Sequence, residues 1–200
     1  MSASAPDIAA KPKKGFRLEL KTVGPLVALL LLVILGISLN ENFLTYNNLT
    51  NVLARSSFIG IIAIGATFVI TSGGLDLSVG SMAAVIAGIM IIVMNSLIPS
   101  LGIGVGVVLV GMGAGLLIGG AAGVGNGLMI TRGRIEAFIV TLGTMGIFRS
   151  LVTFLADGGT LSLNFQVADV YRPVYYDGLF GVPWPIIVFA LVAIGGEIVM

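Results

Sequence analysis

The apolar positions of this chain fall into long uninterrupted runs separated by short polar stretches. No charged residue occurs between Lys21 and Glu41, between Arg55 and Asp76, or between Asp76 and Arg132. A membrane-crossing helix needs roughly 20 predominantly apolar residues, so the last of these gaps has room for two crossings and a turn. The runs predict spans over about 23–39, 53–71, 79–94, 103–130, 138–155 and 182–199. Between them lie an Asn-rich stretch (NENFLTYNNLTN), a glycine turn (TSGGLDLSVGS), a short turn (NSLIPSLG), a basic loop (TRGRIEA) and a longer polar stretch over 156–182. The expected fold class is all-α: a polytopic helical membrane protein of about six transmembrane helices. Residues 23–200 form the transmembrane domain, and 1–22 form a disordered basic tail. A cleaved signal peptide would have an apolar core of ~7–15 residues before a small-residue cleavage site. The first run is longer and leads into SLNENF, so it is taken as an uncleaved span.

Composition agrees with this pattern. Hydrophobic residues make up 57% of the chain and charged residues 10%, against about a quarter charged in soluble domains. The distribution of charge says more than its total. Lys11, Lys13, Lys14, Arg17 and Lys21 precede the first run, and no lysine follows. A basic segment before an apolar run marks a cytoplasmic end. Alternation then puts Glu41 outside, Arg132 and Arg134 inside, and 156–182 outside. The basic residues do not continue onto a folded surface, so no nucleic-acid partner is expected. With no cysteine and no histidine, disulfides, thiolate zinc sites and His-based acid–base catalysis are excluded. A GxxxxGK[ST] phosphate loop is absent from these residues. The chain is read as a non-enzyme without cofactor or metal, and any ATP it uses is bound by another chain.

Three features are candidates for function. Gly111, Gly115, Gly119, Gly123 and Gly127 recur every four residues along one face of the fourth span. That face is a helix-packing seam, or alternatively a surface that slides during transport. In SGGLDLSVGS, Gly73 and Gly74 can end the second span in a left-handed turn, and Asp76 or Ser78 can cap the third. An ionisable residue amid apolar sequence is equally a functional candidate, so Asp76 stands between pathway and cap. The third feature is 125–150, with Asn126, the Arg132–Glu136 loop and Arg149. Arg149 lies twelve residues beyond Ala137, roughly 18 Å along a helix, which is past the midplane of a ~30 Å core. It either lines a polar pathway or pairs with a carboxylate or helix-end carbonyls. Tyr175, Tyr176 and Trp184 are read as an interfacial aromatic belt.

At these same segments the chain resembles the permease subunits of bacterial ABC importers for ribose, xylose and related monosaccharides. The resemblance rests on NFLTYNNLTNVL, IGIIAIGATFVITSGGLDLSVGSMAA and GNGLMITRGRIEAFIVTLGTMGIFRSL, and runs from about Phe43 to Phe189. It implies a translocation pathway formed with a second permease copy. It also implies a periplasmic sugar-binding protein that delivers substrate and a cytoplasmic ATP-binding subunit that drives import. The location would be the bacterial inner membrane, with the N-terminus cytoplasmic. Asp76, Ser78, Asn126 and Arg149 are the translocation-pathway candidates. Family members run longer and carry, after the sixth span, a cytoplasmic segment that docks on the ATPase. This chain ends at AIGGEIVM and therefore resembles the N-terminal part of a permease. An ion-coupled secondary transporter and a non-transporting fragment are the competing readings.

Overall fold

The structure is a computed structural model that describes residues 20–199, with side chains described from Val23. The tail expected over 1–22 therefore lies almost wholly outside the described residues. Among the described residues, seven helices run in chain order: α1 Leu20–Leu39, α2 Tyr46–Thr71, α3 Val79–Leu101, α4 Val105–Thr131, α5 Ala137–Leu155, α6 Phe165–Tyr176 and α7 Trp184–Val199. A two-stranded hairpin, β1 Gly178–Leu179 and β2 Val182–Pro183, stands between α6 and α7. Among the described residues, α2, α3, α4 and α5 are long and apolar enough to cross a membrane, and 23–39 and α7 are shorter apolar helices. The all-α polytopic class is thus present, with four of the six expected spans at full crossing length.

The chain divides into two compact units, Met1–Leu49 and Thr50–Met200. In the first, α1 is apolar and exposed around its circumference, with Leu26, Leu29, Leu31 and Leu32 all more than half accessible. Such a helix has no amphipathic face to bury in a small core and suits a lipid surround. It ends where the Phe43 ring folds back onto Gly36. The amide of Asn48 then donates to Phe43 O at 2.7 Å, and Leu49 N donates to Thr45 O at 3.0 Å. The Thr45 hydroxyl also accepts from Asn48 N at 3.4 Å, satisfying an orphan N–H of the first turn of α2, which starts at Tyr46, seven residues before the expected boundary.

In the second unit, α3 packs along α4 and α5. α3 outruns its expected end at Met94 and continues through Pro99 to Leu101. The turn moves instead to Gly102, at φ +69°, whose N–H bonds Ile98 O at 2.9 Å. α7 runs beside α2: the Phe189 ring covers Gly60, and Gly196 faces Ile64 and Phe68.

The segment 156–182, expected as a polar stretch, contains α6. Asn164 caps it by accepting from Gln166 N at 2.9 Å, as Asn at an N-cap does. Val167, Val170, Tyr171 and Val174 form its apolar stripe at i, i+3, i+4, i+7 spacing. Val167 is fully buried against Met94, Val107 and Val108. Asn95 of α3 holds the preceding loop from both ends of its amide, donating to Ser162 O at 3.0 Å and accepting from Asn164 N at 2.9 Å. α6 therefore closes one end of the α3–α4 pair. The hairpin after it turns through Phe180 and Gly181, both at positive φ, as a two-residue type I′ turn requires.

Candidate functional site

The junction between α2 and α3 is built from its glycines outward. Gly73 sits at φ +82°, and its N–H bonds Ile70 O at 2.9 Å while Gly74 N–H bonds Val69 O at 3.0 Å. This pair of bonds is the Schellman ending, and it uses two carbonyls that the end of α2 would otherwise strand. The chain then runs without helix to Ser78. Ser78 occupies the N-cap position of α3, but its side chain does not cap the helix. Asp76 does the anchoring instead: its Oδ1 accepts from both Ser78 N and Ser78 Oγ, each at 2.7 Å. Neither of the two expected caps therefore reaches the free N–H groups of α3; Asp76 instead closes an Asx-type turn over Ser78.

The fully buried Ser78 hydroxyl is used twice, donating to Asp76 and accepting from Asn126 Nδ2 of α4 at 3.1 Å. Asn126 is itself 5% exposed. From α5, the Thr141 hydroxyl lies 3.2 Å from Leu75 O and 2.8 Å from Ala137 O, so its one hydrogen is shared between the turn and its own helix. Asp76 and Ser78 of the turn therefore meet Asn126, 48 residues further along the chain, in one joint between the turn, α4 and α5. Thr141 is the member that sequence reasoning missed. Hydroxyls in membrane helices usually bond back to their own helix, and nothing in FIVTLGTMG distinguishes Thr141 from Thr144. The same turn borders a cleft of about 630 Å³ lined by Ser72, Gly73, Thr131, Arg134 and Glu136. Arg134 holds φ at +52° there.

The five spaced glycines divide into two groups. A Cβ on Gly111 would overlap Met94, one on Gly115 would lie 2.6 Å from the Met90 sulfur, and one on Gly119 would lie 3.0 Å from Ile86 Cδ1. Those three let α3 approach α4 closely, as small residues do between membrane helices. At Gly123 and Gly127 an added Cβ meets nothing within 4 Å. The stripe drifts around α4 because four residues exceed the 3.6-residue turn, so its last two members leave the α3 contact.

Arg149 is not part of the joint. It lies eight residues beyond Thr141, ~12 Å along α5, on an exposed face. A cleft of about 500 Å³ beside it is lined by Ser150, Thr153, Phe154, Asp157 and Gly158. Among the described residues it makes no ion pair within 4.0 Å; the pair that occurs is Arg172–Asp169, at 3.9 Å on α6. The exposed side of α5 also carries Gly143, Gly146, Ile147 and Phe154 along a further cleft. The aromatic residues gather as well: Phe58 stacks on Tyr175 with ring centroids 5.9 Å apart, and Tyr176 meets Tyr175 edge-on at 4.7 Å.

A family model described as "Branched-chain amino acid transport system / permease component" matches residues 48–195. The ribose import permease protein of Escherichia coli K12 is 34% identical over 184 residues, covering 90% of this chain and 53% of the relative. The ribose import permease protein of Bacillus subtilis 168 is 38% identical over 176 residues, covering 86% and 51%. The D-allose transport system permease protein of E. coli K12 is 32% identical over 193 residues, covering 92% and 55%. The chain thus spans about half the length of the curated relatives it matches. No solved structure matches it. The matched segment contains the whole Asp76–Ser78–Asn126–Thr141 joint and all five spaced glycines, and the chain belongs to this family of transport permease components.

Proposed function

We propose that the chain is a transmembrane subunit of an ATP-driven ABC importer for a monosaccharide or a similar polyol. The observation that carries this reading is the 34–38% identity to two ribose import permeases over most of the chain. Although the family description names branched-chain amino acids, the relatives named for ribose, allose and fructose favour a sugar. On this reading the protein sits in the bacterial inner membrane with its N-terminus cytoplasmic. It pairs with a second permease copy, receives substrate from a periplasmic sugar-binding protein, and is driven by a cytoplasmic ATP-binding subunit.

The geometry suggests a division of labour. Ser78 and Asn126 are buried, so they act on the pathway by holding α4 against the α2–α3 turn, with Asp76 as the anchor and Thr141 holding α5 to the same turn. Arg149 projects from the exposed face of α5 and supplies a cationic, hydrogen-bonding group to the lining shared with a second copy. On such a shared lining a guanidinium would suit a hydroxyl-rich solute, to which it presents several donors.

The test is purification of a tagged chain from its native membranes. An ATP-binding subunit and ATP-dependent sugar uptake in the same preparation are expected. Uptake driven by an ion gradient with no ATPase present would replace this reading with that of a secondary transporter. Asp76 speaks against that alternative, since one of its carboxylate oxygens is already committed to two bonds from Ser78.

A further inference from the structure

A second polar site lies beside the N-terminal half of α2, away from the Asp76 turn. A cavity of about 510 Å³ is lined there by Arg55, Phe58, Tyr171, Arg172, Tyr175 and Tyr176. Its two cations come from different elements, α2 and α6, and its walls are aromatic. Arg172 lies 3.9 Å from Asp169, with both side chains 71% exposed. An ion pair that long and that open to solvent holds its partners weakly, so Arg172 is free to turn toward an incoming anion. Arg55 makes no ion pair within 4.0 Å among the described residues. With Asp169 balancing Arg172, the cavity keeps a net positive charge and a set of phenol and guanidinium donors.

What lies along α2 beyond this cavity identifies its occupant. Arg55, Phe58, Ile59 and Ile62 fall at i, i+3, i+4 and i+7, which is one helix face. All are exposed, with Phe58 at 48%, Ile59 at 71% and Ile62 at 46%. The buried residues of the same turns, Ala54 and Ser57, lie on another face. A guanidinium therefore stands at the head of an exposed apolar ladder ~10 Å long, nine residues into a helix long enough to cross a bilayer. A free anion would use the cations and leave the ladder unused. A molecule with a phosphodiester head and acyl chains uses both, because guanidinium binds phosphate oxygens in a bidentate fork while the ladder packs against the chains. We infer that this cavity is a headgroup site for an anionic phospholipid, held between Arg55 of α2 and Arg172 of α6 with one acyl chain along Ile59 and Ile62. The phospholipid would tie α6 to α2 across the aromatic stack of Phe58 on Tyr175.

The chain is reconstituted in bilayer discs of equimolar phosphatidylglycerol and phosphatidylcholine, released in mild detergent, and examined by native mass spectrometry for retained lipid. The wild type is expected to retain phosphatidylglycerol in preference to phosphatidylcholine. Arg55→Ala and Arg172→Ala each reduce that retention about tenfold, the loss expected for one charge-assisted contact, while Arg55→Lys reduces it less. Added inorganic phosphate leaves the retained lipid in place. Equal retention of the two lipids overturns the inference, as does unchanged retention in both alanine variants. Displacement by inorganic phosphate overturns it too, by showing a simple anion site. Should Arg55→Ala fail to fold, as judged by helical circular dichroism, Arg172→Ala at its solvent-exposed position decides alone.

Discussion

The joint between Ser78 and Asn126 makes a prediction that can be worked through in energy. In this chain the Ser78 hydroxyl both donates to Asp76 at 2.7 Å and accepts from Asn126 at 3.1 Å. Ser78→Ala removes both bonds. It leaves Asp76 with the Ser78 backbone N–H alone and strands the Asn126 amide in a site 5% exposed. Asn126→Ala removes only the second bond and opens a small cavity. An unsatisfied buried polar group costs about 1–3 kcal/mol in water-soluble proteins. Between membrane helices, measured couplings average only about 0.6 and reach about 1.7 kcal/mol. The Ser78–Asn126 pair should fall near the upper end, because both groups are buried and neither alanine variant supplies a new partner. The assay is a double-mutant cycle on reversible unfolding in mixed detergent, followed by circular dichroism. A coupling of about 1 kcal/mol is expected, with Ser78→Ala the more damaging single change. Additivity of the two substitutions within about 0.3 kcal/mol would refute the claim that this bond joins α4 to the α2–α3 turn.

Other expectations follow from the packing. Gly115→Ala, which drives a Cβ against the Met90 sulfur, should destabilise the chain by about 1–3 kcal/mol as overpacked positions do. Gly123→Ala, which meets nothing, should be neutral or stabilise by up to about 1 kcal/mol through helix propensity; detergent unfolding of the two variants separates them. Val167→Asp places a charge in the contact with Met94, Val107 and Val108, so α6 should detach and 156–182 should become cleavable by a protease that spares the wild type. In an importer that contains the chain, Arg149→Ala should lower sugar uptake while leaving membrane insertion, measured by surface labelling, unchanged.

The parts of the fold that were legible in sequence are those with one dominant local cause. Uninterrupted apolar runs placed the cores of α2 to α5, because a long segment without charge has one physical use. Gly73 ended α2 as expected, since a left-handed residue strongly favours glycine. Where two causes compete, the reading failed. α3 runs past Met94 because Pro99 removes only its own N–H bond, with two helical residues left after it, and Gly102 at φ +69° is the stronger stop. α6 was hidden by its surroundings: the scattered charges Asp157, Asp169, Arg172 and Asp177 marked 156–182 as a polar stretch, yet Asn164 followed by Val167, Val170, Tyr171 and Val174 already spelled a capped amphipathic helix. For the candidate site, Asp76, Ser78 and Asn126 could each be named from residue type and position. Their meeting could not, because it depends on how α4 is rotated against the turn. The four-residue glycine spacing likewise showed a face but not where that face leaves its neighbour.

The most direct test of the account is transport by the complex isolated through this chain. That complex, reconstituted in sealed vesicles with ATP on the side of the ATP-binding subunit, is offered labelled monosaccharide with the sugar-binding protein on the other side. The account predicts uptake that requires both ATP and the binding protein and that survives collapse of ion gradients. Uptake that persists without ATP and is abolished by an ionophore would contradict it.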